Sequence, residues 1–114
     1  TKIGNNTTLG NHCYLSSFSC INHDQKISDN VLISGHVGLT GTSVGSGTII
    51  SEGVLVGFKK KIGKHCFIAE NSFVNRNIPD NTLVTGNPPQ LIKINKKILK
   101  MLSSTLMKTI SNTK

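Results

Sequence analysis

The sequence predicts an all-β fold: a chain wound into about five triangular coils and finished by an amphipathic α-helix at its C-terminus. Three observations predict it. Aliphatic residues recur every six positions, small or turn-forming residues follow them, and the spacing turns helical near the C-terminus. The aliphatics run in steps of six from Ile3 through Leu9, Leu15, Ile21, Ile27 and Ile33 to Leu39. After one step of five they resume at Val44 and keep to six through Ile50, Val56, Ile62 and Ile68 to Val74. A step of four then leads to Ile78 and Val84, so fifteen aliphatics hold one phase with two slips.

A period of six fits neither a helix at 3.6 nor a simple alternating strand. It fits a short strand, a corner and a repeat, with three strands closing a coil of about 18 residues. Residues 18 apart then stack. The aliphatic points inward, and the residue two before it, as in Thr7, Cys13, Val31, Thr48 or Ser72, packs beside it. The residue after it (Gly4, Gly10, Ser16, Gly45, Gly63) lets the backbone turn. A second self-match fixes the phase, since Gly10-Asn11-His12-Cys13-Tyr14-Leu15 recurs as Gly63-Lys64-His65-Cys66-Phe67-Ile68. Phe58-Lys59-Lys60-Lys61 breaks the pattern: Lys60 falls where a small inward residue is expected, which predicts a bulge.

Residues 1–89 therefore form the prism and 90–114 a separate basic helix and tail. Pro88-Pro89 ends the coils, because neither residue donates a backbone hydrogen bond. Leu91, Ile94, Ile98, Met101, Leu102 and Leu106 follow at helical spacing, predicting a helix over about 90–110. Residues 90–114 hold six lysines and no acidic residue. The expected role of this helix is a cap over the last coil. Trimer contacts and attachment to an anionic membrane surface are the alternatives.

The chain has 114 residues and a net charge of +8, which limits it to one domain. No apolar run reaches the roughly 18 residues of a membrane span. Thr1 opens the chain without a charged-then-apolar leader, so no secretion signal is expected, although a non-Met start fits a piece of a longer chain. Cys13, Cys20 and Cys66 make neither a C-x-x-C pair nor an even set, which points to a reducing, cytoplasmic setting. The lysines are not interleaved with aromatics and no nucleic-acid module is present, so no nucleic-acid partner is expected.

Among four histidines, His12 and His65 share one position of matching hexads and read as solvated corner residues, and His36 occupies the same hexad position. His23 differs, since Asp24 follows it directly on a corner. An imidazole near neutral pH can take a proton from an attacking hydroxyl or amine, and a neighbouring carboxylate can fix its tautomer and stabilise the imidazolium.

The hexads resemble those of the hexapeptide-repeat acyltransferases over residues 3 to about 92, which implies a left-handed parallel β-helix. Ile21-Asn22-His23-Asp24, with Ile33-Ser34 and Leu39-Thr40-Gly41, is similar to the stretch around the catalytic histidine of sialic-acid O-acetyltransferase-type sugar acetyltransferases. That resemblance implies His23 as general base, Asp24 as its support, and Gly41, 18 residues after His23, as oxyanion donor. Val74 to Pro89, ending Gly86-Asn87-Pro88-Pro89, resembles the family's closing segment beside its coenzyme A groove. The implied activity is acetyl transfer from acetyl-CoA to a hydroxyl or amine of a sugar or sugar nucleotide, by direct attack in a homotrimer. Candidate donor-binding residues are Gly41, Ser51, Lys59, Ala69, Gly86, Asn87 and Pro88, with Ser51, Glu52, Ala69 and Glu70 as the wall facing a neighbouring prism. The fold also hosts a three-histidine zinc carbonic anhydrase, but gaps of 11, 13 and 29 between the histidines here lack a close pair, so no metal is expected. Two other readings remain: acyl transfer from acyl carrier protein, as in lipid A synthesis, and a non-catalytic β-helix scaffold. The chain starts within the repeat, where sugar acetyltransferases of this type usually carry an α/β subdomain first.

Overall fold

A computed structural model describes residues 2–16, 20–21 and 23–112. Of the residues singled out above, Asn22 and the side chains of Ile3, Cys20, Ile21 and Leu106 lie outside that description. Thirteen strands have two residues each: β1 (Lys2–Ile3), β2 (Thr8–Leu9), β3 (Tyr14–Leu15), β4 (Cys20–Ile21), β5 (Lys26–Ile27), β6 (Leu32–Ile33), β7 (Gly38–Leu39), β8 (Ser43–Val44), β9 (Ile49–Ile50), β10 (Leu55–Val56), β11 (Lys61–Ile62), β12 (Phe67–Ile68) and β13 (Phe73–Val74). Two four-residue strands, β14 (Thr82–Thr85) and β15 (Gln90–Lys93), precede the helix α1 (Lys96–Asn112).

Every third strand stacks in parallel, giving three sheets. Sheet A is β1-β4-β7-β10-β13, sheet B is β2-β5-β8-β11, and sheet C is β3-β6-β9-β12-β14 with β15 added antiparallel at its edge. The register follows the aliphatics. Ile21 pairs with Leu39, 18 residues on, while Ile27 pairs with Val44, 17 on, and Ile68 with Val84, 16 on. Both sequence slips are thus shortened coils. Four coils are complete, one fewer than the five expected, because the fifth shrinks on sheet B to a single bridge between Ile62 and Ile78. The inward aliphatics make one continuous core, with Ile33, Leu39, Ile50, Ile68, Val74 and Val84 fully buried. Leu9 stays 39% exposed, because β2 has a strand on one side only.

Twelve corners among the described residues turn through one residue in the left-handed region, and these residues stack in columns. Asn6, Asp24, Gly41 and Lys59 form the column between sheets A and B; His12, Asn30, Gly47, His65 and Asn81 form that between B and C; His36, Gly53 and Asn71 follow between C and A. Asn, Asp and His bear positive φ better than other side chains, which explains their enrichment here. From Asp24 and Asn30 onward in the first two columns, and at Gly53 and Asn71 in the third, the amide of the column residue donates to a carbonyl of the coil before it, as from Asp24 to Asn5 (3.0 Å), Asn30 to Asn11 (2.9 Å) and Gly53 to Gly35 (3.0 Å).

Two expectations fail on packing grounds. The helix does not cap the last coil. Strand β15 pairs along β14, while α1 starts only at Lys96 and lies on the outer face of sheet C. Outward residues of that sheet, Leu32, Ile49, Phe67 and Leu83, are apolar and need cover, which Ile94, Leu99 and Leu102 supply. Asn95 caps the helix, its side-chain oxygen accepting from the Ile98 amide at 2.9 Å. Nor does the chain bulge at Lys60, since β11 keeps regular register on β8 and the Lys60 side chain stays half-buried beside Gly57.

Neighbouring coils approach too closely at some glycines for any side chain. A Cβ at Gly45 would lie 2.5 Å from the Gly63 carbonyl carbon in the next coil, whereas one at Gly41 meets nothing nearer than 3.4 Å. Gly45→Ala is expected to cost about 3 kcal/mol in urea unfolding, and Gly41→Ala about 1 kcal/mol from its backbone strain alone. Equal costs would contradict this stacking.

Candidate active site

His23 and Asp24 sit together on the corner between sheets A and B. Asp24 is the left-handed residue of the turn, and its reversed backbone brings its carboxylate back to the preceding ring. The His23 Nδ1–H donates to Asp24 Oδ2 at 2.8 Å, with both side chains more than half exposed. A carboxylate only accepts, so this contact sets the tautomer and leaves the lone pair on Nε2.

Asp24 is held below its usual pKa of 3.8, first by the His23 hydrogen bond, then by a hydrogen bond from the Asn6 side chain, with the charge of Lys59 a smaller contribution. Asn6 stands one position before Asp24 in the corner column and Lys59 two positions after it, so the repeat itself assembles this environment. Asn6 escaped the sequence reading, although it precedes Asp24 by one 18-residue period.

Gly41 does not stack on His23. One residue is lost between Leu39 and Val44, so Gly41 lies over Asp24 and Thr40 over His23. The Gly41 amide donates to the His23 carbonyl at 3.2 Å, one of the regular links between coils, and so is already engaged. Lys59 passes over Gly41, and its ammonium lies 5.3 Å from the centre of the exposed Phe58 ring.

Beneath the corner, Gln25 is fully buried in the row that, apart from Lys60, holds mostly small or β-branched residues. Its Oε1 accepts from the Thr42 amide at 2.8 Å, tying the shortened coil to the one below, while its Nε2 has no partner. The sequence reading missed it because a long polar residue breaks the small-residue rule.

The other candidate donor-binding residues stand elsewhere. Ser51 and Ala69 occupy the corner between sheets C and A, and Gly86, Asn87 and Pro88 the turn from β14 to β15 beside it. Ser51 is 1% exposed and its hydroxyl makes no hydrogen bond, so its side chain does not reach the surface. Gly86, Asn87 and Pro88 are exposed, the Gly86 amide donating to Ser72 Oγ at 3.1 Å. Glu52 pairs with His36 at 3.6 Å, and Glu70 is exposed. A shallow depression of about 580 Å³ runs along the outer face of sheet B, where Lys26, Lys61 and Lys64 gather with Asp80. Among the described residues no three His, Cys, Asp or Glu side chains form a metal-binding group, and no helix is long and apolar enough to cross a membrane.

Solved structures share this architecture. A maltose O-acetyltransferase from Clostridium difficile 630 superposes with a TM-score of 0.73 at 21% identity, over 84% of this chain and 68% of its own. The chain has the fold of the hexapeptide-repeat acyltransferases. A UDP-N-acetylglucosamine O-acyltransferase from Moraxella catarrhalis RH4 gives 0.78 at 23% identity, over 83% of this chain and 37% of the other. A serine acetyltransferase in complex with CoA gives 0.72 at 22%, over 75% and 39%. The chain thus spans well under half the length of these last two. No family model matches the sequence, and no curated protein matches it.

Because the folded pKa of Asp24 lies below its unfolded value, the ionised carboxylate favours the fold. That contribution is complete above the unfolded pKa and disappears as pH falls through the folded one. By carbon-detected NMR the Asp24 carboxyl is expected to titrate below 3.8, and to move up towards 3.8 in Asn6→Ala. An unchanged midpoint in that variant would remove Asn6 from the pair's support.

Proposed function

We propose that the chain is an acetyl-CoA-dependent acetyltransferase acting on a hydroxyl or amine of a sugar or sugar nucleotide. The observation that carries this reading is the His23–Asp24 pair, 2.8 Å apart on an exposed corner of an acyltransferase fold. His23 Nε2 accepts the proton as the acceptor oxygen or nitrogen bonds to the thioester carbonyl carbon. The C–S bond then breaks and the proton passes from His23 to the departing thiolate. Asp24 holds Nδ1–H throughout and stabilises the imidazolium, a contribution of about 10²–10⁴ in rate for the positioned base.

In this reading the thioester carbonyl lies against Gly41, where only the Lys59 chain packs over the missing side chain, at ordinary contact distance. Donation from the Gly41 amide to a developing oxyanion requires it to share or release the His23 carbonyl. Lys59 and the lysines of the sheet B depression, Lys26, Lys61 and Lys64, supply positive charge for the donor's phosphates.

One prism keeps the two halves of the candidate site at different corners. Gly41 and Lys59 stand between sheets A and B, and Ala69 between C and A, with Gly86 and Asn87 in the turn beside it. Three copies about a threefold axis bring the second corner of one protomer against the first corner of its neighbour, which is the reading that unites them.

Turnover with acetyl-CoA and a panel of UDP-amino sugars and maltose-type acceptors tests the chemistry. His23→Ala is expected to lower kcat about 10³-fold and Asp24→Asn about 10-fold, with KM for the donor little changed. Full turnover in a folded His23→Ala protein would end the general-base reading. Turnover only with acyl carrier protein thioesters would replace the donor.

A further inference from the structure

A second cavity of about 620 Å³ lies away from His23, between α1 and the corner joining sheets B and C. Four nitrogen-bearing side chains line it: His12 and His65, three coils apart in the corner column, and Lys96 and Lys100, one turn apart on the helix. Among the described residues no carboxylate lines it. Its inner wall is apolar, built from Tyr14, Leu32, Ile49 and Leu99.

His65 is held by the fold. Gly47 lies one coil below it, and a Cβ there would come within 2.6 Å of His65 Nδ1. The imidazole therefore lies across a place that only glycine leaves empty. On the other wall Leu99 is buried against sheet C and fixes the helix turn between Lys96 and Lys100. Cations gathered at one wet cavity without a counter-charge repel one another, and an anion bound among them removes that repulsion. Two hydroxyls, Ser103 and Ser104, add hydrogen-bond donors at the rim.

We infer that this groove binds a phosphate ester with an apolar body, the phosphate held by His65, Lys96 and Lys100 and the body laid on Leu99, Leu32 and Tyr14 towards His12. A dianionic head matches several cations better than a carboxylate does, and the apolar wall gives no reason to select a bare ion. The site shares no residue with the His23 corner, so the inference stands whether or not the protein transfers acetyl groups.

Calorimetry with phenyl phosphate, inorganic phosphate and phenol tests it, with histidine NMR spectra recorded in parallel. Phenyl phosphate is expected to bind one-to-one, at least ten-fold more tightly than either inorganic phosphate or phenol, and to shift the His12 and His65 resonances while leaving His36 in place. His65→Gln and Lys100→Ala should each weaken it about ten-fold, and Lys97→Ala, outside the groove, should not. Absence of binding overturns the inference. So does equal loss in Lys97→Ala and Lys100→Ala, which would mean unspecific attraction to a basic helix, or shifts confined to His23, which would place the ligand at the other corner. Lys100 is an exposed helix residue, so its variant tests the site even if His65→Gln unfolds.

Discussion

The backbone hydrogen bond from a corner residue to the coil before it governs the rest of this molecule. Strands of two residues have little pairing of their own, and it is the repetition of the same link, 2.9 to 3.2 Å at the corners named above, that stacks them. That link is made by a left-handed residue, and the requirement fills these corner positions with Asn, Asp, His and Gly, Lys59 being the exception. These side chains are short, polar and surface-facing, so a structural demand places chemical groups in columns. His23–Asp24 with Asn6 is one product, and His65 lying over Gly47 is another.

The same link constrains the chemistry proposed at Gly41. Its amide is already spent on the His23 carbonyl, so any oxyanion stabilisation there competes with a bond that holds two coils together. The backbone carbonyl of the candidate base and the amide of the candidate donor are thereby one structural unit. Movement of one is transmitted to the other, and Gln25, clamped beneath on the Thr42 amide, limits how far either can shift.

Much of this was legible in the sequence, for physical reasons. The inward aliphatic is excluded from water in every coil, so its phase survives both shortened coils and gives the prism, its three sheets and the location of the slips. The His23–Asp24 contact was legible because the partners are adjacent in sequence. Gly41 was misplaced by one residue because the slip after Leu39 falls inside its own corner. The helix was put at the end of the stack because only inward positions were read. The residue just before each aliphatic faces outward: on sheet C it is Leu32, Ile49, Phe67 and Leu83, while on sheet B it is Thr8, Lys26, Ser43 and Lys61. That contrast marks the face needing cover, and it lies in the sequence at a period of 18. The columns at the corners keep the same period of 18, as Asn6 and Asp24 do, and depart from it only at the two shortened coils.

The central claim is that the His23 corner of one protomer and the Gly86 corner of another make a single acyl-transfer site. Subunit complementation tests it most directly, by mixing a His23→Ala chain with a Gly86→Trp chain, each inactive alone, after dissociation and reassembly. In a cyclic trimer with random mixing about a quarter of the interfaces join two intact halves, so about a quarter of wild-type turnover should return. If the mixture stays as inactive as its parts while both variants assemble, the site lies within one chain and the shared-corner account is wrong.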